Sequence, residues 1–534
     1  MSVSPSLSWS IGMLVCWAFV MAGLFLQPAV PVLIAVLGFF LTRIGMSRLT
    51  KDRWCVKLAL WSYGLKITLA LTLYLVSFYH WPLLREYQGE RGFWVFSEDA
   101  LAYHYHANNL VRAWNGLAPY PQTGISNWSF IVYMGLLYRA FGIQPLVVSC
   151  LNAWCGTVIV GSGLVMMQRW TLSPKAVRFG VALLGFWPSL LLWSSQSMKD
   201  PLLLALTFVG LCLLLELIRA QARDDRVFFG LAGLLGLLLS LLVLFRDYTA
   251  IQLGTVSSIM TAGLAIRWIR TGVYRLAIRL VAVAVLIPLV IVLAGQLDLH
   301  GLAVRPTLPD AVVTSPTTVT LFPVSEAVRS TPAPLSTAPE AVPLSLTGQP
   351  HAAASTALAD KAHRHWWRGW VQLRVKDLDS RRQGFLSTGG HSLMDADVRF
   401  SKLSDVVRYL PKSLSLALLA PFPWQWFDVD GQTKAFRTLT ALETLLMYVL
   451  LAGLLFRASQ VRRYTSVQTV TVLLFIVVSA IPMGLVVANL GTLFRLRLQF
   501  LLPLMMLLCV VDVWSGYRQV LQQVAHCVQQ LVRV

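Results

Sequence analysis

Apolar stretches of about 17 to 25 residues recur along most of this chain, each long enough to cross a hydrocarbon core of about 30 Å as a helix. Inside a bilayer the backbone has no water to bond, so only helices or closed barrels can span it; continuous apolar runs point to helices. Of the 534 residues, 56% are hydrophobic and 13% charged, about half the charge of an ordinary soluble protein. A water-soluble globule is excluded.

The net charge of +20 sits in short basic clusters between apolar runs, as topology signals do, so nucleic acid is not expected as a partner. The seven cysteines, Cys16, Cys55, Cys150, Cys155, Cys212, Cys509 and Cys527, fall in apolar runs or in segments expected inside the cell, and imply neither a disulfide framework nor a zinc site. The first apolar run is followed at once by another and lacks a small-residue cleavage site, so it reads as a retained span rather than a signal peptide.

The expected fold class is all-α: a polytopic membrane protein with about 12 transmembrane helices, extracytoplasmic loops and interfacial helices. Residues 1–57 hold two N-terminal spans (9–26 and 29–46) and a basic loop containing Arg48, Lys51, Arg53 and Lys57. Short Lys/Arg-rich loops stay in the cytoplasm, which puts both termini inside. Residues 58–297 form a transmembrane module with spans at 58–79, 147–167, 179–195, 201–218, 227–245, 248–266 and 280–297. Its external loop, 80–146, includes a short apolar segment, 128–141, read as interfacial because a crossing there would put every later basic loop on the wrong side. Residues 298–362 read as a flexible external linker and 363–435 as an external aromatic and basic segment. Spans at 436–456, 465–487 and 498–514 complete the 436–534 region, and 517–534 has the spacing of an amphipathic surface helix or is a solvated end.

Several ionisable groups fall at the outer boundary, where the positive-inside tendency does not explain them: Glu98 and Asp99, Lys199 and Asp200, Arg246 and Asp247, Arg495 and Arg497. Charge beside apolar helices on that side is a functional signal. Ser97 is placed to cap a helix whose first turn holds Glu98 and Asp99, where a helix dipole favours carboxylates with or without catalysis. Transfer of a sugar from a lipid phosphate needs a carboxylate to take the acceptor proton, and cations or a metal ion to hold the leaving phosphate. Asp99 suits the first role and the external basic residues Arg246, Arg495, Arg497 and Lys199 the second. Arg495 and Arg497, two apart, share a side only on an extended backbone, so one of them is expected on phosphate. His104 and His106, two apart on one helix, point apart and form no metal pair, and no metal site is assigned.

The order of a span, an external loop opening with an acidic motif, Tyr120-Pro121, a short helix ending in Phe141-Gly142 and then Leu151-Asn152-Ala153 resembles the lipid-sugar-dependent glycosyltransferases of the GT-C superfamily. The run from Trp187 to Asp200 adds to the likeness, which covers roughly 58–247; the nearest branch is family 39-like, similar to protein mannosyltransferases and aminoarabinose transferases. The resemblance implies a polyprenyl-phosphate sugar as donor, inverting transfer outside the cytoplasm to a glycan, lipid or protein acceptor, and Asp99 as base with Glu98 beside it. The family's Asp-Glu order is reversed here, which leaves open which carboxylate is the base. It leaves the cofactor unknown, a divalent metal ion being one option. Asp247, Tyr103, His104, His391 and Trp424 are candidates for contacting acceptor or glycan.

Two other readings stand beside it. A polysaccharide polymerase or O-antigen-ligase-like enzyme using a lipid diphosphate would lean on His391. A transporter or flippase would show charges buried near mid-span and an internal repeat; no repeat is visible, and Lys66 and Glu443 are the only such charges. No nucleotide-binding glycine loop is present, and Gly161, Gly163, Gly230, Gly233 and Gly236 read as close helix contacts.

Overall fold

A computed structural model describes residues 29–119, 127–170, 172–220, 224–296, 372–387, 393–426, 434–456 and 466–510. The regular structure of the described residues is all helical, with two isolated β-bridges and no strand among them. Eight of its helices are long and apolar enough to cross a membrane, ten when each of two bent pairs counts as one crossing. The chain is a multi-pass membrane protein. The expected span at 9–26, the linker and the C-terminal tail lie outside the described residues.

Helices α1 (Val30–Leu49) and α2 (Arg53–Phe78) form the first pair. Asp52 starts α2 by accepting a hydrogen bond from the Trp54 amide at 2.9 Å, filling a donor that a helix N-terminus leaves open. Proline opens α5 (Pro145–Arg169) and α6 (Pro174–Gly185), where its missing N–H costs nothing. Between α2 and α5 lie α3 (Glu98–Trp114) and α4 (Trp128–Phe141). With 14 residues, α4 is about 21 Å long, too short to span. It packs on α3 through Tyr103, Ala107 and Leu110 against Phe130, Ile131 and Met134.

After α6 the chain bends by 49° into α7 (Pro188–Ser194) and continues through α8 (Asp200–Ala220), α9 (Asp225–Phe245), α10 (Asp247–Arg270) and α11 (Tyr274–Gly295). The most buried span is α5, enclosed by α1, α2, α6 and α8. On α9 and α11 exposed aliphatics such as Leu237, Val285, Leu289 and Val292 form the kind of surface that faces hydrocarbon.

A helix at 372–387 and α12 (Leu403–Leu419) form a module on the apolar helix α13 (Lys434–Phe456) and the span α14 (Val467–Val486). Arg382 holds it there: its guanidinium is buried and donates to the carbonyls of Leu485 (2.9 Å), Met394 (3.2 Å) and Asp395 (2.9 Å). The short helix α15 (Leu490–Leu496) and α16 (Leu498–Val510) follow, bent by 51° at Arg497.

Ion pairs sort the loops into two ends. Asp52 meets Arg178, Glu216 meets Arg169, and Asp225 meets Arg275 and Arg279, all among loops expected inside. Of the groups expected outside, Asp99, Asp200, Arg246 and Arg495 meet one another at the opposite end.

Two expectations need correction. Ser97 precedes α3 without capping it: its hydroxyl donates to the Trp94 carbonyl (3.2 Å) and to Gln196 Oε1 (3.3 Å), tying the helix start to the segment after α7. A Cβ at Gly230 or Gly233 would meet nothing, so these glycines make no close helix contact, whereas one at Gly163 would collide with Leu184.

Candidate active site

Four segments bring charge to one end of the bundle. Asp99 comes from the first turn of α3, Asp200 opens α8 with Lys199 just before it, Arg246 ends α9, and Arg495 lies in the last turn of α15. Arg495 bridges the two carboxylates, its Nη2 at 2.7 Å from Asp99 Oδ2 and its Nε at 3.3 Å from Asp200 Oδ2. Arg246 Nη1 donates to Asp200 Oδ1 at 3.2 Å. The Asp200 side chain is 5% exposed and that of Arg495 13%, whereas Asp99 is 46% exposed, so the network runs from a buried carboxylate to an accessible one.

The inner contact is electrostatic more than directional. Asp200 Oδ2 and Arg495 Nε face each other as charges, yet both atoms are buried without an aligned hydrogen bond. They border a cavity of about 10 Å³ also lined by Thr207, Arg246, Thr249 and Gln499, room for about one water.

Lys199 completes the cluster. Its ammonium donates to Asn127 Oδ1 and lies 5.9 Å from the centre of the Tyr103 ring. Burial, and then the neighbouring Arg246, bring its pKa down to about 7, with Asp200 and Asp99 pulling the other way. Arg246 and Arg495 lie over the rings of Tyr248 and Trp193 at 5.1 and 6.0 Å, so the walls are aromatic. The backbone before Lys199 is fixed by Asn152, whose Nδ2 donates to the carbonyls of Gln196 (2.7 Å) and Met198 (2.6 Å).

Thus Asp99, Lys199, Arg246, Arg495 and Tyr103 converge, and Asp200, noted in sequence only as a boundary charge, proves to be the hub. Glu98, beside Asp99, is exposed and forms no ion pair among the described residues. Asp247 is exposed and accepts from the Tyr248 amide at 2.8 Å. His104 is buried, with Nδ1 at 2.8 Å from the Tyr138 hydroxyl, and burial lowers its pKa to about 4; it serves the α3–α4 packing. Arg497 is separated from Arg495: it is buried with Glu443 and belongs to a different network. Trp424 is 71% exposed and stacks on Phe422. His391 lies outside the described residues. Among the described residues no cluster of His, Cys, Asp or Glu could hold a metal ion.

Comparison with known protein families, characterised proteins and solved structures finds no match. The chemistry of the site therefore rests on its geometry.

Sequence reasoning missed Asn127, Trp193 and Tyr248. A lone loop asparagine carries no signal, and the two aromatics look like ordinary span-end residues. The short polar stretch before Lys199 was the readable sign that a charged pair is held rigidly.

Proposed function

We propose that this chain is a glycosyltransferase of the bacterial inner membrane, GT-C-like with about twelve spans, its site on the extracytoplasmic side. It moves a sugar from a polyprenyl-phosphate donor to a glycan, lipid or protein acceptor. The observation that carries the reading is Arg495 bridging an accessible carboxylate, Asp99, and a buried one, Asp200.

Donor phosphate competes for Arg495. As its oxygens take the guanidinium, Asp99 loses its ion-pair partner and becomes free to accept a proton. The acceptor hydroxyl gives that proton to Asp99 Oδ as its oxygen attacks the anomeric carbon, and the bond from that carbon to the phosphate oxygen breaks, its electron pair leaving on phosphate. Arg495, Arg246 and Lys199 meet the charge that develops, while Asp200 holds both guanidiniums in place beforehand.

Charge balance favours one phosphate over two. With Lys199 protonated, three cations face two carboxylates, a net of +1, which matches a phosphodiester donor. After transfer Asp99 is neutral, the cluster is +2, and the leaving phosphate monoester carries up to two charges. A diphosphate donor would leave uncompensated charge at both stages.

Lipid extraction and mass spectrometry of cells carrying wild type, Asp99→Asn or His391→Ala, at matched protein levels, test this. Accumulation of a sugar-bearing polyprenyl phosphate with Asp99→Asn supports it. Accumulation of a lipid diphosphate with His391→Ala alone would favour the polymerase or ligase reading, and unchanged profiles would reject the site.

A transporter reading draws on the buried charges Lys66, Glu443 and Arg497. Each of them is bonded to protein groups at a helix break: Lys66 to Ser62 and the Gly185 carbonyl, and Glu443 and Arg497 to each other. These bonds favour a structural role.

A further inference from the structure

Both bent spans break where Glu443 and Arg497 meet. Each side chain is 1% exposed, and Arg497 Nη2 lies 3.6 Å from Glu443 Oε1. Glu443, midway along α13, reaches the first break: its Oε1 accepts from Trp187 Nε1 (2.9 Å) and Ser189 Oγ (2.8 Å), and its Oε2 from the Ser189 amide (2.8 Å). A carboxylate thus fills the donors exposed where α7 restarts. Arg497 occupies the second break, between α15 and α16, donating to the Ala420 carbonyl at 2.5 Å and to Thr444 Oγ1 at 3.4 Å, over the Phe494 ring. The opposite side of the first break is closed by Ser62, whose hydroxyl donates to the Gly185 carbonyl at 2.6 Å.

Each break leads within a few residues to one half of the charged cluster. Arg495 is two residues before Arg497, and α7 runs through the clamped 195–199 segment to Lys199 and Asp200. One buried pair therefore ties the element carrying Arg495 to the element that delivers Asp200.

We propose that Glu443 and Arg497 are positioning residues for the anion site: by stapling the two helix breaks together they set the spacing of Arg495 from Asp200. The inference rests on the reading of that site as a phosphate site. Neither residue contacts the ligand. A buried ion pair is a costly means of joining helices in place of apolar packing, and here Glu443 also fills the Ser189 amide at the first break while Arg497 caps the Ala420 carbonyl that ends α12.

The test measures affinity of the full chain in lipid nanodiscs for farnesyl phosphate, by calorimetry, beside thermal stability. The variants are Arg495→Gln, Glu443→Gln, Arg497→Lys, the double variant Glu443→Gln/Arg497→Gln, and Arg279→Gln, which removes a buried cation at the opposite end. Arg495→Gln is expected to weaken binding at least about tenfold. Glu443→Gln should weaken it about three- to tenfold and the double variant no more than that, with Arg497→Lys recovering part of the loss, while Arg279→Gln lowers stability and leaves affinity unchanged.

If Arg495→Gln weakens binding but folded Glu443→Gln or Arg497→Lys binds like wild type, the positioning role is overturned and the phosphate site stands. Affinity that tracks stability in every variant, Arg279→Gln included, overturns it as well. Should Glu443→Gln fail to fold, Arg497→Lys, which keeps the charge, decides alone. Failure of the wild type to bind, or indifference to Arg495→Gln, overturns the phosphate site and the positioning inference together.

Discussion

Arg495 and Asp99, nearly four hundred residues apart in the chain, meet at 2.7 Å, and under the proposed function the guanidinium that holds this carboxylate is also the one that receives the donor phosphate. The proposed base and the proposed anion clamp are thus linked before any ligand arrives. This linkage predicts that removing Arg495 damages more than binding: Arg495→Gln should lower turnover at saturating donor, and Arg495→Lys should restore charge without the two-sided reach, recovering only part of it. Steady-state kinetics on the three proteins checks this.

Lys199 gives the site a pH dependence. With its pKa brought down to about 7 by burial and Arg246, it is protonated below that value and loses its charge above it. Affinity for a lipid phosphodiester, which does not titrate in this range, should fall as pH rises through about 7, by at most about tenfold per unit. Lys199→Arg should flatten the profile, as calorimetry from pH 6 to 9 would show.

His104 predicts a dependence of stability. Burial lowers its folded pKa to about 4 from an ordinary value of about 6.5, so below that ordinary value the unfolded chain binds more protons. The stabilisation it gives is complete above pH about 6.5 and is lost as pH falls toward 4. Thermal melts of wild type and His104→Asn should converge over that window, and the variant should bind no less farnesyl phosphate.

Gly156 predicts a packing failure. A Cβ there would lie 2.8 Å from Lys66 Cε and also collide with Ser194, so Gly156→Ala should destabilise by about 1–3 kcal/mol. Gly230→Ala, which meets open space, should be neutral. Detergent melts of the two variants separate the cases.

Sidedness can be read by labelling. Glu98→Cys should react with a membrane-impermeant maleimide in intact spheroplasts and Lys175→Cys only after permeabilisation; the reverse pattern would invert the topology.

Much of the fold was legible because length and hydropathy set a membrane helix, and local chemistry sets its ends: Asp52 before α2 and proline opening α5 and α6 are visible in the sequence. The broken spans were not. Phe186-Trp187-Pro188 and Phe494-Arg495-Leu496-Arg497 sit inside or beside apolar runs, and only their distant partners, Glu443 and Ser62, show why the backbone can bend there. In the site, each charge could be nominated singly from its place at a span end, yet which charges meet depends on tertiary packing. Arg495 and Arg497 looked equivalent, and a helical turn at α15 sends them into different networks.

Proton transfer to Asp99 as sugar leaves a lipid phosphate, the step proposed for this site, can be assayed directly. Lipid accumulated in cells carrying Asp99→Asn can be supplied with a membrane extract containing acceptor to wild type and variant in nanodiscs, following release of free polyprenyl phosphate. Turnover by wild type and a rate about 10²–10⁴-fold lower with Asp99→Asn are expected. Equal release by the two proteins would contradict the proposed step.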